Sequence, residues 1–141
     1  MGKKKINEAF LSEYMRLDGV CCEKFGVSMG GVSEYINRLN NARFSPGRDD
    51  ILPILVNYRN LRNRFSHDPN AIRKTGDLTK ADVKWIRAFE KMIQKKKDPI
   101  SLYLRRARQY VRRRRLRRFF IVFGLVDIAI LAIAIAYIFK R

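Results

Sequence analysis

Residues Phe119 to Phe139 form an apolar run of 21 with a single charge, Asp127. At about 1.5 Å of rise per residue, a helix of that length crosses the roughly 30 Å of hydrocarbon in a bilayer. Directly before it stand nine arginines: Arg105, Arg106, Arg108, Arg112, Arg113, Arg114, Arg115, Arg117 and Arg118. Positive residues collect on the cytoplasmic flank of a membrane helix. The pattern predicts a single-pass protein held by a C-terminal anchor, with the preceding domain in the cytoplasm. Each Lys or Arg near an anionic leaflet contributes about 1 kcal/mol of attraction, so the nine arginines are read as membrane-surface residues and anionic lipid as their partner. Asp127 lies about two turns inside the span, where a charge is costly and usually functional. It is expected to be protonated or paired with a partner helix. Ala132-x-x-x-Ala136 has a spacing that supports helix association.

The net charge of +18 is unevenly spread. Residues 1–90 carry +5, residues 91–118 carry +12, and residues 119–141 carry +1. The extreme basicity therefore belongs to the juxtamembrane segment, and the domain before it is only mildly basic. Cys21 and Cys22 are adjacent and cannot staple distant segments. With one histidine in the chain, no metal-ligand set is expected, and the cysteines read as reduced thiols. No secretory leader is read at the start, because polar residues follow Ile6.

The remaining chain reads as helices. Phe10, Leu11, Tyr14, Leu17 and Cys21 make the apolar stripe of a first helix, Asn7–Phe25, with Glu8, Glu13 and Arg16 outside. Ser28 is the expected N-cap of a second helix, whose Gly30-Gly31 pair weakens the first turn. Val32, Tyr35, Ile36 and Leu39 face inward there. A third helix starts near Asp49 and repeats Ile54, Tyr58, Leu61 and Phe65 on one stripe, with Arg59, Arg62 and Asn63 off it. Pro69 stops it, and residues 69–77 are expected as a loop. Thr79-x-x-Asp82 opens a fourth helix as a capping box, with Leu78 and Val83 as a hydrophobic staple. Asp98-Pro99 reads as N-cap and first residue of a fifth. The expected division is a helical domain over 1–98, an Arg-rich helix over 99–118, a membrane helix over 119–139 and a tail, 140–141.

Chemistry concentrates at the end of the third helix, in Leu61-Arg62-Asn63-Arg64-Phe65-Ser66-His67-Asp68-Pro69. An imidazole, a guanidinium and an amide at one helix end are suited to binding a phosphate and moving a proton. Arg62-Asn63-x-x-x-His67 resembles the R-(polar)-x3-H signature of the HEPN superfamily, small all-helical domains that are often metal-independent ribonucleases of toxin, abortive-infection and RNA-processing systems. The resemblance extends over roughly residues 6–100 in helical plan, and its specific part is six residues long. Toxin branches of that family often carry a tyrosine two residues after the histidine, where this chain has Pro69.

The resemblance implies an all-α bundle of four or five helices that acts as a homodimer on RNA. It assigns His67 as general base or acid, Arg62 as the phosphate and transition-state contact, and Asn63 as the residue that orients the histidine or the phosphate by hydrogen bonds. Arg59 and Arg64 are the expected RNA-backbone contacts. No cofactor and no metal are called for. The implied role is a membrane-anchored endoribonuclease, a bacterial toxin, defence or stress effector at the inner membrane with an antitoxin or other regulator. The alternative is a non-catalytic HEPN-like binding module that recruits RNA or a protein partner to the membrane.

Overall fold

The computed structural model describes residues 2–68, 72, 76 and 78–140. Among these the fold is all-α: α1 Lys3–Phe25, α2 Gly31–Asn41, α3 Arg48–His67, α4 Lys80–Gln94 and α5 Pro99–Phe139. The expected 69–77 loop lies mostly outside the described residues. The chain divides into two compact units, residues 1–103 and 104–141.

In the first unit α1 is the axle. It packs on α4 and on α2, and α2 packs on α3. Its stripe of Phe10, Tyr14, Leu17 and Cys21 is buried, as its three- and four-residue spacing predicts. A string of aromatic rings continues the core. Phe10 meets Phe65 and Tyr58 edge-on, with centroids 6.2 and 5.3 Å apart. Tyr58 meets Trp85 at 5.4 Å, Trp85 stacks on Phe89 at 5.1 Å, and Phe89 meets Tyr35 at 5.3 Å. These offset and edge geometries suit the ring quadrupoles, so the string fixes the rotation of four helices at once.

Two helix starts differ in how they are built. At α4 the capping box forms as expected. Thr79 Oγ1 accepts from the Ala81 N–H, Asp82 Oδ2 accepts from the Thr79 N–H at 2.7 Å, and Leu78 and Val83 are both buried. Asp82 also accepts from the Tyr58 hydroxyl at 2.8 Å, which ties the start of α4 to α3. Burial pushes the Asp82 carboxyl up, but these hydrogen bonds outweigh it and leave it below the usual range.

At α2 the expectation of a Ser28 cap fails. Gly30, at φ +69°, is the N-cap and offers no side chain. The cap comes instead from α1: Asp18 Oδ1 accepts from the Val32 N–H at 2.8 Å. A Cβ on Gly31 would collide with the Asp18 carbonyl oxygen and the Cys22 amide nitrogen, both backbone atoms. The glycine pair is therefore the condition for α1 and α2 to touch, rather than a weakness in a free helix end.

Two further corrections concern burial. Glu13 is not outside: it is 6% exposed, and its carboxylate lies 2.8 Å from Arg87 and 3.6 Å from Arg16. Arg16 in turn reaches the buried Glu90 at 3.3 Å, so α1 and α4 are joined by two acids and two arginines. On α3 the fully buried stripe begins at Leu55, with Ile54 half-buried at its edge, because the core lies between those two side chains.

Asp98 closes the unit. It is fully buried and caps α5 by accepting from the Ser101 N–H. Its two oxygens take the Lys24 ammonium at 2.8 Å each, and the Tyr35 hydroxyl donates to one of them at 2.9 Å. Burial raises the Asp98 carboxyl, but Lys24, Ser101 and Tyr35 outweigh it and hold it below the usual range. Ile100 is buried in the same core, so the first turn of α5 belongs to the bundle.

From Leu104 on, α5 side chains are almost all exposed, and the helix is long and apolar enough to span a membrane.

Lys24→Met leaves Asp98 charged, buried and without its cation, and should cost about 3–5 kcal/mol in denaturant unfolding of the detergent-solubilised chain. A carboxyl depressed in the fold stabilises above its unfolded pKa, about 3.9, and loses that contribution as pH falls through the folded value. Thermal melts should therefore show a loss of stability beginning below about pH 4, smaller in Asp98→Asn. Gly31→Ala should lower stability by about 1–3 kcal/mol despite alanine's higher helix propensity, measured by the same unfolding.

Candidate functional site

The end of α3 is pinned from one side only. Leu55, Tyr58, Leu61 and Phe65 are buried, and the ring contacts of Tyr58 and Phe65 with Phe10 set the helix rotation. The three named residues of the Arg-Asn-x-x-x-His signature, Arg62, Asn63 and His67, then face away from the core. Arg62, Asn63, Arg64 and His67 are exposed, and Arg59 is half-buried. Arg62 Nη1 donates to Asn63 Oδ1 at 3.3 Å, a long contact that leaves both groups available to a ligand. Ser66 Oγ donates to the Arg62 carbonyl at 3.1 Å. His67 is the last helical residue; Asp68 is the extended C-cap, and its N–H donates to the Arg64 carbonyl at 2.9 Å.

Arg59, Arg62 and Asn63 share one wall of a cleft of about 240 Å³. They fall three and four residues apart, on one face of the helix. The opposite wall is Tyr14 and Asp18 of α1, and Gly30 and Ser33 sit at the start of α2. Met15 and Met29 stand at the rim, 70% and 80% exposed. Burial pushes the Tyr14 phenol pKa up and Asp18 adds to this, while Arg62 and Arg59 pull it back. The net shift is upward, so Tyr14 is a neutral hydroxyl beside two guanidiniums.

His67 does not line this cleft. Five residues carry it about 140° around the helix from Arg62, with Asn63 between them. The fold thus gathers Arg59, Arg62 and Asn63 and sets His67 beside them on the outer surface. Arg64 lies further round, on the exposed side. Sequence reasoning missed Tyr14, Asp18 and Ser33. The signal for the first two was present: Tyr14 lies in the α1 stripe with Asp18 four residues on at its edge, and polar groups that a core encloses need hydrogen-bond partners.

Outside the bundle, the nine arginines from Arg105 to Arg118 are all exposed on α5. Leu104, Ala107 and Val111 make a thin apolar line beside Arg108, Arg112 and Arg115. Asp127 is exposed on the apolar part of the same helix. Among the described residues, no group of three or more His, Cys, Asp or Glu side chains is gathered to hold a metal ion. Cys21 is buried, and burial first, then Asp18, pushes its thiol up to about 12. It remains a protonated, unreactive core side chain.

Neither a curated protein nor a solved structure matches the chain. A family of unknown function (DUF6548) matches residues 8–120, a span that takes in all of the bundle but the start of α1, the cleft, the Arg62–His67 segment and the whole arginine block. With most of its length matched, the chain belongs to that family.

Proposed function

We propose that the protein is a membrane-anchored, metal-independent endoribonuclease of the HEPN kind. The observation that carries this reading is the outward display of Arg62, Asn63 and His67 on a helix whose rotation is fixed by buried Tyr58 and Phe65. Core packing uses none of the three, so their chemistry is free for a ligand.

The reaction follows from the groups. His67 accepts the proton of an RNA 2′-OH as that oxygen attacks the adjacent phosphorus. The bond from phosphorus to the 5′-oxygen breaks, and a protonated imidazole returns a proton to the leaving oxygen. The products are a 2′,3′-cyclic phosphate and a 5′-hydroxyl. Arg62 holds the phosphate and stabilises the charge that builds on its oxygens, where a guanidinium's fixed fork is most effective. Asn63, between Arg62 and His67 on the helix, orients the two. Two copies meeting at their α3 ends supply one imidazole as base and the other as acid, which accords with the homodimer implied by the family resemblance. Arg59 and Arg64 hold neighbouring phosphates. The arginine block keeps the domain on the cytoplasmic face of a bacterial inner membrane through anionic lipid, with a toxin, defence or stress role under a separate regulator.

One observation favours a second reading. Arg59, Arg62 and Asn63 share a cleft that His67 does not enter. That arrangement suits holding RNA without cleaving it, a binding module that brings RNA to the membrane.

The two readings part in one experiment. The full chain in detergent is incubated with mixed RNA in EDTA, beside Arg62→Ala and His67→Ala. The nuclease reading expects 2′,3′-cyclic phosphate ends, reduced about 10²–10⁴-fold by His67→Ala and about 10²–10³-fold by Arg62→Ala. The binding reading expects no cleavage and weaker RNA binding in Arg62→Ala alone. Equal cleavage by wild type and His67→Ala would remove the imidazole from the mechanism.

A further inference from the structure

Two guanidiniums and an amide account for a bound phosphate. They do not account for a carboxylate in the same cleft, nor for two methionines at its rim. We propose that the cleft between α1, α2 and α3 is a subsite that selects guanine, with Asp18 reading the base and Arg59 and Arg62 holding the phosphates that flank it. This rests on the reading that the protein binds RNA.

The size is the first argument. At about 240 Å³ the cleft is smaller than the roughly 300–1,000 Å³ of pockets for drug-sized ligands, so it admits a single base, with sugar and phosphate at its mouth, and not a stretch of strand. Charge is the second. Arg59 and Arg62 against Asp18 leave the cleft net positive, and Asp18 forms no ion pair with either arginine among the described residues. The carboxylate is therefore not consumed in neutralising its neighbours.

Its free valences are the third argument. Asp18 Oδ1 accepts from the Val32 N–H at 2.8 Å, and this bond fixes the carboxylate plane against the start of α2. Oδ2 meets only the Cys22 thiol, a weak donor, at 3.9 Å. A carboxylate has about four acceptor sites, so acceptor capacity remains on both oxygens. It rewards a base edge that presents adjacent donors. Guanine alone among the four bases does so, through N1–H and N2–H2; uracil sets its one ring N–H between two carbonyl oxygens that a carboxylate repels. The Met15 and Met29 thioethers at the rim are flexible, polarisable surfaces for the face of a purine. The Ser33 hydroxyl and the neutral Tyr14 phenol supply further donors.

The arginine block on α5 binds any nucleotide and is blind to the base, so a difference between bases isolates the cleft. The full chain, in nanodiscs of phosphatidylcholine alone, is titrated calorimetrically with 5′-GMP and with 5′-IMP, which lacks only the N2 amino group. GMP should bind about tenfold more tightly, the discrimination expected for one hydrogen bond to a charged acceptor. In Asp18→Asn the side-chain oxygen still caps α2 while an amide replaces the second acceptor, and the preference should shrink to within about twofold with the helix content unchanged by circular dichroism. Equal wild-type affinities for GMP and IMP, which need no variant to read, would overturn the proposal, as would an undiminished preference in Asp18→Asn. The failures are separable. A guanine preference without RNA cleavage removes the nuclease reading and keeps the subsite. Cleavage at sites indifferent to guanine, with no GMP preference, removes the subsite and keeps the nuclease.

Discussion

Three helices converge on one carboxylate. Asp98, sealed from water, receives the Lys24 ammonium from the end of α1, the Tyr35 hydroxyl from α2, and the backbone of its own helix at Ser101. A charge in that position is tolerable only because both oxygens accept hydrogen bonds and the cation sits at hydrogen-bond distance. Lys24 lies within 6 Å of the Phe25 and Tyr35 rings, and Arg38 covers Phe25 at 4.4 Å, so aromatic faces share in holding the cations. The placement of α2 against α1 follows from this knot, and with it the shape of the cleft further along the same two helices.

The cleft is a by-product of close approach. Because Gly31 lets the α2 backbone lie on the α1 backbone, Asp18 can cap α2 from the side, and the same side chain lines the cleft with Arg59, Arg62 and Asn63 of α3. The aromatic string then turns α3 so that Arg59, Arg62 and Asn63 face that opening. Structure and chemistry share one residue here. Asp18 holds two helices together and, among the described residues, supplies the only acid on the cleft wall.

What was legible in the sequence was local. The α4 capping box and its staple were readable because all their partners lie within five residues. The α1 stripe and the outward placement of Arg62 and Asn63 followed from helical periodicity. The α2 cap was not readable, because its donor and acceptor are 14 residues apart and belong to different helices. Glu13 misled for the same reason: its partner Arg87 comes from α4, so a residue that looks solvated on its own helix is buried in the assembled bundle. The relation of His67 to the cleft also escaped. The six-residue signature fixes spacing along one helix, while the cleft is defined by what two other helices place opposite.

Ile100 and Ser101 carry a consequence for modularity. They lie past the Asp98-Pro99 boundary that sequence punctuation suggests, yet one is core and the other is bonded to Lys24. The opening turn of the long last helix is therefore part of the core it leaves. A graft that swaps that helix for a foreign one at the proline would import a mismatched keystone, so the exchangeable seam of this protein falls after Tyr103.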